Sequence, residues 1–244
     1  MLSEIAAPWY FRQREALFGA AYGLGFFFGF FIAALLNQPE PTYARLGDAL
    51  PFLGVRGGQA VAVFLVIFGW AWRVWGASYL SSAVVWSDDL ETGALHVAGP
   101  YRFSRNPLYF GNVAIALGVG MLGPPAATGL VLIFNLILIL ALVDVEERSL
   151  AERYGARYQA YAERVPRLIP NFLRKTGSPG SPHLIEGLRS ELMTGGFVVA
   201  MLVGYVTQGP LSLPVAIVFA VSIAVAMLFV RRKTRATEVA RNLK

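Results

Sequence analysis

The chain has 244 residues, 56% of them hydrophobic and only 15% charged, where a soluble domain carries about a quarter. It contains no cysteine and two histidines, which excludes a disulfide framework, a thiolate nucleophile and a histidine-based metal cluster. Its net charge of +6, in so apolar a sequence, points to anionic lipid headgroups and away from nucleic acid.

Taken in chain order, six apolar runs approach the length that crosses a bilayer core: Ala16–Leu36, Gln59–Leu80, Leu108–Leu122, Ala126–Val143, Leu192–Thr207 and Leu211–Val230. The first is too long, and its flanks too bulky, for a cleaved signal peptide. Its Phe26, Phe27, Phe28, Phe30 and Phe31 form a candidate wall for a greasy ligand. The third and fourth runs are short and joined by Gly123, Pro124 and Pro125, which predicts a tight helical hairpin. Residues 144–175 then turn polar, with tyrosines at 154, 158 and 161, and predict an amphipathic helix at the membrane surface followed by an extended VPRLIP segment at 165–170. The expected fold is all-α, a polytopic membrane protein of about six transmembrane helices. Its expected parts are a core over residues 1–175, a Gly/Ser/Pro linker at 176–182 and an accessory two-span segment over 183–244.

Lysine and arginine set the expected orientation. Arg12 and Arg14 precede the first span, Arg102 and Arg105 lie between the second and third, eight lie between Asp144 and Leu192, and six follow Val230. Only Arg45 and Arg56 fall on the other side. Both termini and the stretch GPYRFSRNPLYFG, residues 99–111, are therefore expected to face the cytoplasm.

That stretch carries the densest polar chemistry of the chain. Pro100 and Pro107 stiffen it, and Pro107 is suited to start a helix, whose unpaired N–H groups and positive dipole end favour an anion. Arg102 and Arg105 add charge, and Tyr101 and Tyr109 add faces for a flat ring; a basic loop resting on lipid headgroups explains the same composition about as well. Glu146 and Glu147 follow the fourth apolar run and differ by about 100° around a helix, so one could face the bundle while the other meets water. Their bland reading is a helix emerging into solvent. Arg73, among Trp70, Trp72 and Trp75, is either functional or snorkels to the interface through an aromatic belt. GVGMLG at 118–123 has the letters of a dinucleotide fingerprint but neither the strand before it nor the helix after it, and is read as small residues for close helix packing. His96 is read as structural or solvated.

GPYRFSRNPLYFG, the Glu146–Glu147 pair and Tyr154, Gly155, Tyr158, Tyr161 with VPRLIP together resemble the signature of the isoprenylcysteine carboxyl methyltransferase and phospholipid methyltransferase superfamily, over about residues 70–172. Asn106 stands where the usual pattern has histidine, as in the phospholipid N-methyltransferase branch. The carboxyl methyltransferases place an arginine about one turn before the glutamate pair, where this sequence has Leu140, Ala141, Leu142 and Val143, a departure that points away from a prenylcysteine carboxylate. The resemblance implies an S-adenosylmethionine pocket at the cytoplasmic membrane face. Gly93, Ala94, Leu95, His96, Gly99, Tyr101, Arg105, Asn106, Pro107, Leu108, Tyr109 and Glu146 would line it. Arg105 would support the loop or neutralise the cofactor's carboxylate, and Glu147 would be either the partner of Glu146 or a base near the acceptor. The acceptor implied is a membrane lipid or isoprenoid-like molecule, such as a phospholipid amine or a prenylated carboxylate, in the inner membrane of a prokaryote; a homo-oligomer is compatible with the sequence. A sterol-reductase-like membrane protein using a nicotinamide cofactor is the alternative of a different class, and a non-catalytic protein of the same fold the third reading.

Overall fold

The structure is a computed structural model that describes residues 8–80, 95–173 and 180–207. Among these, the regular elements are helices: α1 (Trp9–Arg12), α2 (Arg14–Leu35), α3 (Thr42–Ala49), α4 (Gly54–Ala77), a 3-10 turn over Gly99–Arg102, α5 (Pro107–Gly120), α6 (Pro125–Tyr154), α7 (Ala156–Ala162), α8 (Leu184–Ser190) and α9 (Leu192–Val206). The chain divides into two compact units, Met1–Leu192 and Met193–Lys244. Three helices, α2, α4 and α6, are long and apolar enough to cross a membrane, and α5 and α9 are shorter apolar helices. The sixth apolar run, Leu211–Val230, lies outside the described residues, as do most of the 176–182 linker and Gly93 and Ala94.

Within the first unit α2 packs along α6, and α4 along α5, with α5 bridging to α6. Small residues allow these approaches. Gly25 and Gly29 of α2 meet Val131 and Ala127 of α6, Gly69 of α4 meets Gly111 and Ile115 of α5, and Gly118 meets the Ala62 carbonyl and Val66. A β-carbon at Gly118 would sit 2.7 Å from that carbonyl, so GVGMLG is a packing surface. Dispersion gains most where backbones can touch, because lipid tails are as apolar as the helices they would replace.

The predicted hairpin is present. α5 ends at Gly120, and Pro124, in extended conformation, leads into Pro125 at the first position of α6. The Thr42 amide donates to the Gly123 carbonyl at 2.8 Å, and the Thr42 and Thr128 hydroxyls lie 2.6 Å apart, fastening α3 over this end of the bundle. The opposite end receives the last turns of α4 and α6, the first turn of α5 and the loops that carry the sequence motifs.

Two expectations need correction. The helix predicted to leave the fourth span is continuous with it: α6 runs through residues 125–154 because nothing there breaks a helix. It stops at Gly155, whose φ of +50° is a conformation that residues with a β-carbon rarely adopt. Of the candidate wall in α2, Phe26 is half-buried beside Gly123, but Phe27, Phe28, Phe30 and Phe31 do not face the bundle. Phe27 and Phe31 are 67% and 59% exposed, and the inner face of α2 is instead Ala21, Tyr22, Gly25, Gly29 and Ala33.

Candidate active site

The loop before α5 is stitched, atom by atom, to the segment after α7. The Arg105 amide donates to the Pro166 carbonyl at 2.9 Å and the Asn171 amide to the Phe103 carbonyl at 2.9 Å. The Ser104 hydroxyl, fully buried, donates to the Leu168 carbonyl at 2.8 Å and accepts the Asn106 amide at 3.2 Å. Tyr161 donates its hydroxyl to the Tyr101 carbonyl at 2.7 Å. VPRLIP is thus the second edge of the same site, and the prolines in both segments remove amides that would otherwise need partners. Gly99 opens the loop with φ of +56°, packed against the Tyr79 ring.

Asn106 precedes Pro107 at the start of α5 but does not cap the helix with its side chain. Its amide nitrogen donates to Glu147 Oε1 at 2.9 Å and to the Arg167 carbonyl at 2.9 Å. Glu147 also faces Arg105, whose Nε lies 3.4 Å from Oε1, and Arg167, whose Nε lies 3.3 Å from Oε2. Arg167 reaches on to Asp144 through a second nitrogen. One carboxylate therefore gathers an amide and two guanidinium groups. One turn into α5, the buried Tyr109 donates its hydroxyl to Glu146 Oε1 at 2.7 Å. The two glutamates, adjacent on α6, grip the two sides of the first turn of α5. Neither is the free, water-facing residue that an emerging helix would show.

The remaining predicted residues surround this cluster unevenly. Tyr101 is buried, and burial pushes its phenol well above the ordinary value, with Tyr161 adding to the effect. His96 is half-buried with its ring centroid 6.4 Å from that of Tyr101, and burial lowers its pKa. Leu108 lends its carbonyl to Arg73 at 3.4 Å. Leu95 is half-buried, and Gly93 and Ala94 lie outside the described residues. Residues that the sequence reading did not single out are Ser104, Asp144 and Arg167. Arg167 stands inside VPRLIP, so its motif was visible while its role as a second cation on Glu147 was not. Burial also pushes the Tyr158 phenol up to about 12, so it stays a donor at every physiological pH. In this cluster the Tyr158 hydroxyl, Arg105 Nε and Arg167 Nε are buried without a well-formed hydrogen bond. Unmet donors of this kind suit an anionic ligand group.

Beside the cluster, a groove of about 450 Å³ opens between α1–α2 and α6. Leu17, Ala21 and Leu24 line one side, Phe134, Leu138 and Ala141 the other, and Trp9 and Tyr10 close its end. Tyr10 and Leu138 also pack against the buried group of Phe11, Tyr109, Ile139, Leu142 and Val143, so this apolar groove and the polar cluster share a wall. Among the described residues no group of three His, Cys, Asp or Glu could hold a metal ion.

Residues 58–157 match the family model for Phospholipid methyltransferase. The resemblance to the superfamily of integral membrane methyltransferases therefore holds over the segment that contains most of α4, α5, α6, the 99–111 loop and both glutamates. Together with three helices long and apolar enough to cross a membrane, it supports an integral membrane protein whose residues 58–157 resemble that family. No curated protein and no solved structure matches the chain.

Proposed function

We propose that this protein is an S-adenosylmethionine-dependent methyltransferase acting on a lipid-like acceptor, a phospholipid amine in preference to a prenylated carboxylate. The observation that carries the reading is the joining of the 99–111 loop to the glutamate pair, Asn106 to Glu147 at 2.9 Å and Tyr109 to Glu146 at 2.7 Å, inside the family-matched segment. The donor set fits the cofactor: unmet donors at Arg105 and Tyr158 for its carboxylate, a helix start at Pro107, and Glu146 to accept from its ribose hydroxyls or amino group. His96, Gly99, Tyr101, Asn106 and Leu108 complete the set we assign to it; Gly93, Ala94 and Leu95 belong to it by the sequence resemblance alone. Bound there, S-adenosylmethionine supplies a methyl group already activated on a sulfonium, so the protein mainly positions the reactants.

Glu147 serves in this reading as the clasp of the loop. Its oxygens are taken up by Arg105, Arg167 and Asn106, which tie the loop and the VPRLIP segment to α6. An amine acceptor would attack in its neutral form, its proton having passed to water at the membrane surface, whereas a carboxylate needs no such loss. The acceptor's chain would lie in the groove between α2 and α6, with its reactive end toward Tyr109. In this reading the site faces the cytoplasm, which the lysine and arginine distribution supports.

Purified protein in detergent, titrated with S-adenosylmethionine and with its demethylated product, should show a rise in thermal stability by mass action. The nicotinamide dinucleotides should give none. Folded protein that shows no shift with either methyl-cycle ligand sinks the proposal. Transfer of labelled methyl groups into vesicles containing an amine-headed phospholipid, against vesicles doped with a prenylcysteine, decides the acceptor class.

A further inference from the structure

Arg73 sits in α4 among apolar residues, and it does not snorkel. Its side chain is 15% exposed, and its guanidinium forms a two-pronged bond to Glu191, Nε to Oε2 at 2.7 Å and NH2 to Oε1 at 2.8 Å. Glu191 is fully buried. Trp70 donates its indole N–H to the Glu191 carbonyl at 3.1 Å. Backbone contacts seat the same segment on α4: the His183 amide donates to the Ser78 carbonyl at 2.7 Å, and Gly187 lies so close to Val74 that a β-carbon would come 2.6 Å from its carbonyl oxygen.

The third nitrogen of Arg73 points elsewhere. NH1 donates to Asn112 Oδ1 at 2.7 Å and to the Leu108 carbonyl at 3.4 Å, both on α5. Residues 108 and 112 share one face of the helix, and Tyr109 lies about 100° around from Leu108. Gly111 leaves room for the stem of Arg73, where a β-carbon would sit 2.6 Å from Arg73 Cγ. Arg73 therefore sets the rotation of the first turns of α5, and that rotation carries Tyr109 to Glu146 and Asn106 to Glu147. Arg73 stays turned inward because Glu191 neutralises it. An arginine at this depth without a carboxylate would swing its head toward water and release Asn112 and Leu108.

We infer that Glu191 and Arg73 are positioning residues: the segment 183–191, which lies outside the family-matched residues, holds α5 in register for cofactor binding through them. The inference rests on the assignment of the 99–111 loop to the cofactor, and its test separates the two. Full-length Glu191→Gln and Asn112→Leu proteins are compared with wild type by hydrogen exchange without any ligand, and then by S-adenosylmethionine affinity. Asn112→Leu cuts the link to α5 while leaving the ion pair in place, so it carries the test if Glu191→Gln does not fold. Exchange over residues 104–112 should quicken in both variants, and affinity should fall about tenfold, while exchange over residues 125–140 stays as in wild type. Exchange over 183–191 should quicken in Glu191→Gln alone. If Asn112→Leu leaves residues 104–112 and the affinity unchanged, the pair only fastens a segment to α4 and the inference is overturned. If wild type binds no S-adenosylmethionine, the functional proposal fails, and the exchange measurement still decides whether Arg73 holds α5.

Discussion

Two carboxylates meet arginines at the same end of the bundle, in opposite styles. Glu191 gives both oxygens to one guanidinium and is fully buried. Glu147 divides its oxygens among Asn106, Arg105 and Arg167, and keeps 15% of its side chain exposed. A sealed one-to-one pair is geometrically closed: with its lone pairs committed in low dielectric, it fixes position and little else. A shared carboxylate with imperfect angles leaves donors such as Arg105 Nε unmet, and these can be drawn to a ligand. The first arrangement is a hinge pin for α5; the second is a site.

The largest effect that breaks this comparison is expected at the sealed pair. Arg73→Ala leaves Glu191 buried without its counter-charge, which should cost about 3–5 kcal/mol. The double variant Arg73→Met, Glu191→Leu removes both charges and should recover most of that loss. Unfolding of the single and double variants in the same detergent is the measurement, and equal losses would mean that the pair is not sealed.

An intermediate effect separates the two neighbouring glutamates. Glu147→Gln removes a charge on which two arginines converge, so at about 1.5–3 kcal/mol per charge-assisted bond it should destabilise the ligand-free protein as well as weaken cofactor binding. Glu146→Gln keeps the size of the side chain and its contact with Tyr109, so ligand-free stability should change little. Its cofactor affinity should fall by roughly ten- to a hundredfold, at about 1.4 kcal/mol per factor of ten. Thermal unfolding with and without S-adenosylmethionine reads both quantities. Normal affinity in Glu146→Gln would remove that residue from the cofactor site.

The smallest effect concerns His96, at the aqueous edge of the site. Burial depresses its folded-state pKa, so the folded protein disfavours its protonated form. Its contribution to stability is complete above the unfolded value of about 6.5 and is lost as pH falls from there through the lowered folded pKa. His96→Gln should flatten the decline in melting temperature over that window. An unchanged slope would show that His96 is not the group responsible.

Much of this was legible in the chain because it depends on local or compositional physics. Apolar runs of bilayer length marked α2, α4 and α6, since in lipid the backbone must satisfy its own hydrogen bonds. Pro107 marked the start of α5, and Gly123–Pro125 its hairpin with α6, through fixed φ angles and missing amides. The order of GPYRFSRNPLYFG, Glu146–Glu147 and VPRLIP carried the family resemblance. What the tertiary structure decided is who meets whom across long separations. Arg73 needed a carboxylate, but the 15 acidic residues gave no local reason to choose Glu191, which lies 118 positions away. The direction in which Glu147 points, and the second arginine waiting for it at position 167, depend on where Gly155 turns the chain back toward the 99–111 loop. The outward phenylalanines of α2 follow the same logic: in a membrane a large apolar side chain gains as much from lipid as from protein, so it is the glycines and alanines, which let backbones touch, that decide which face turns in.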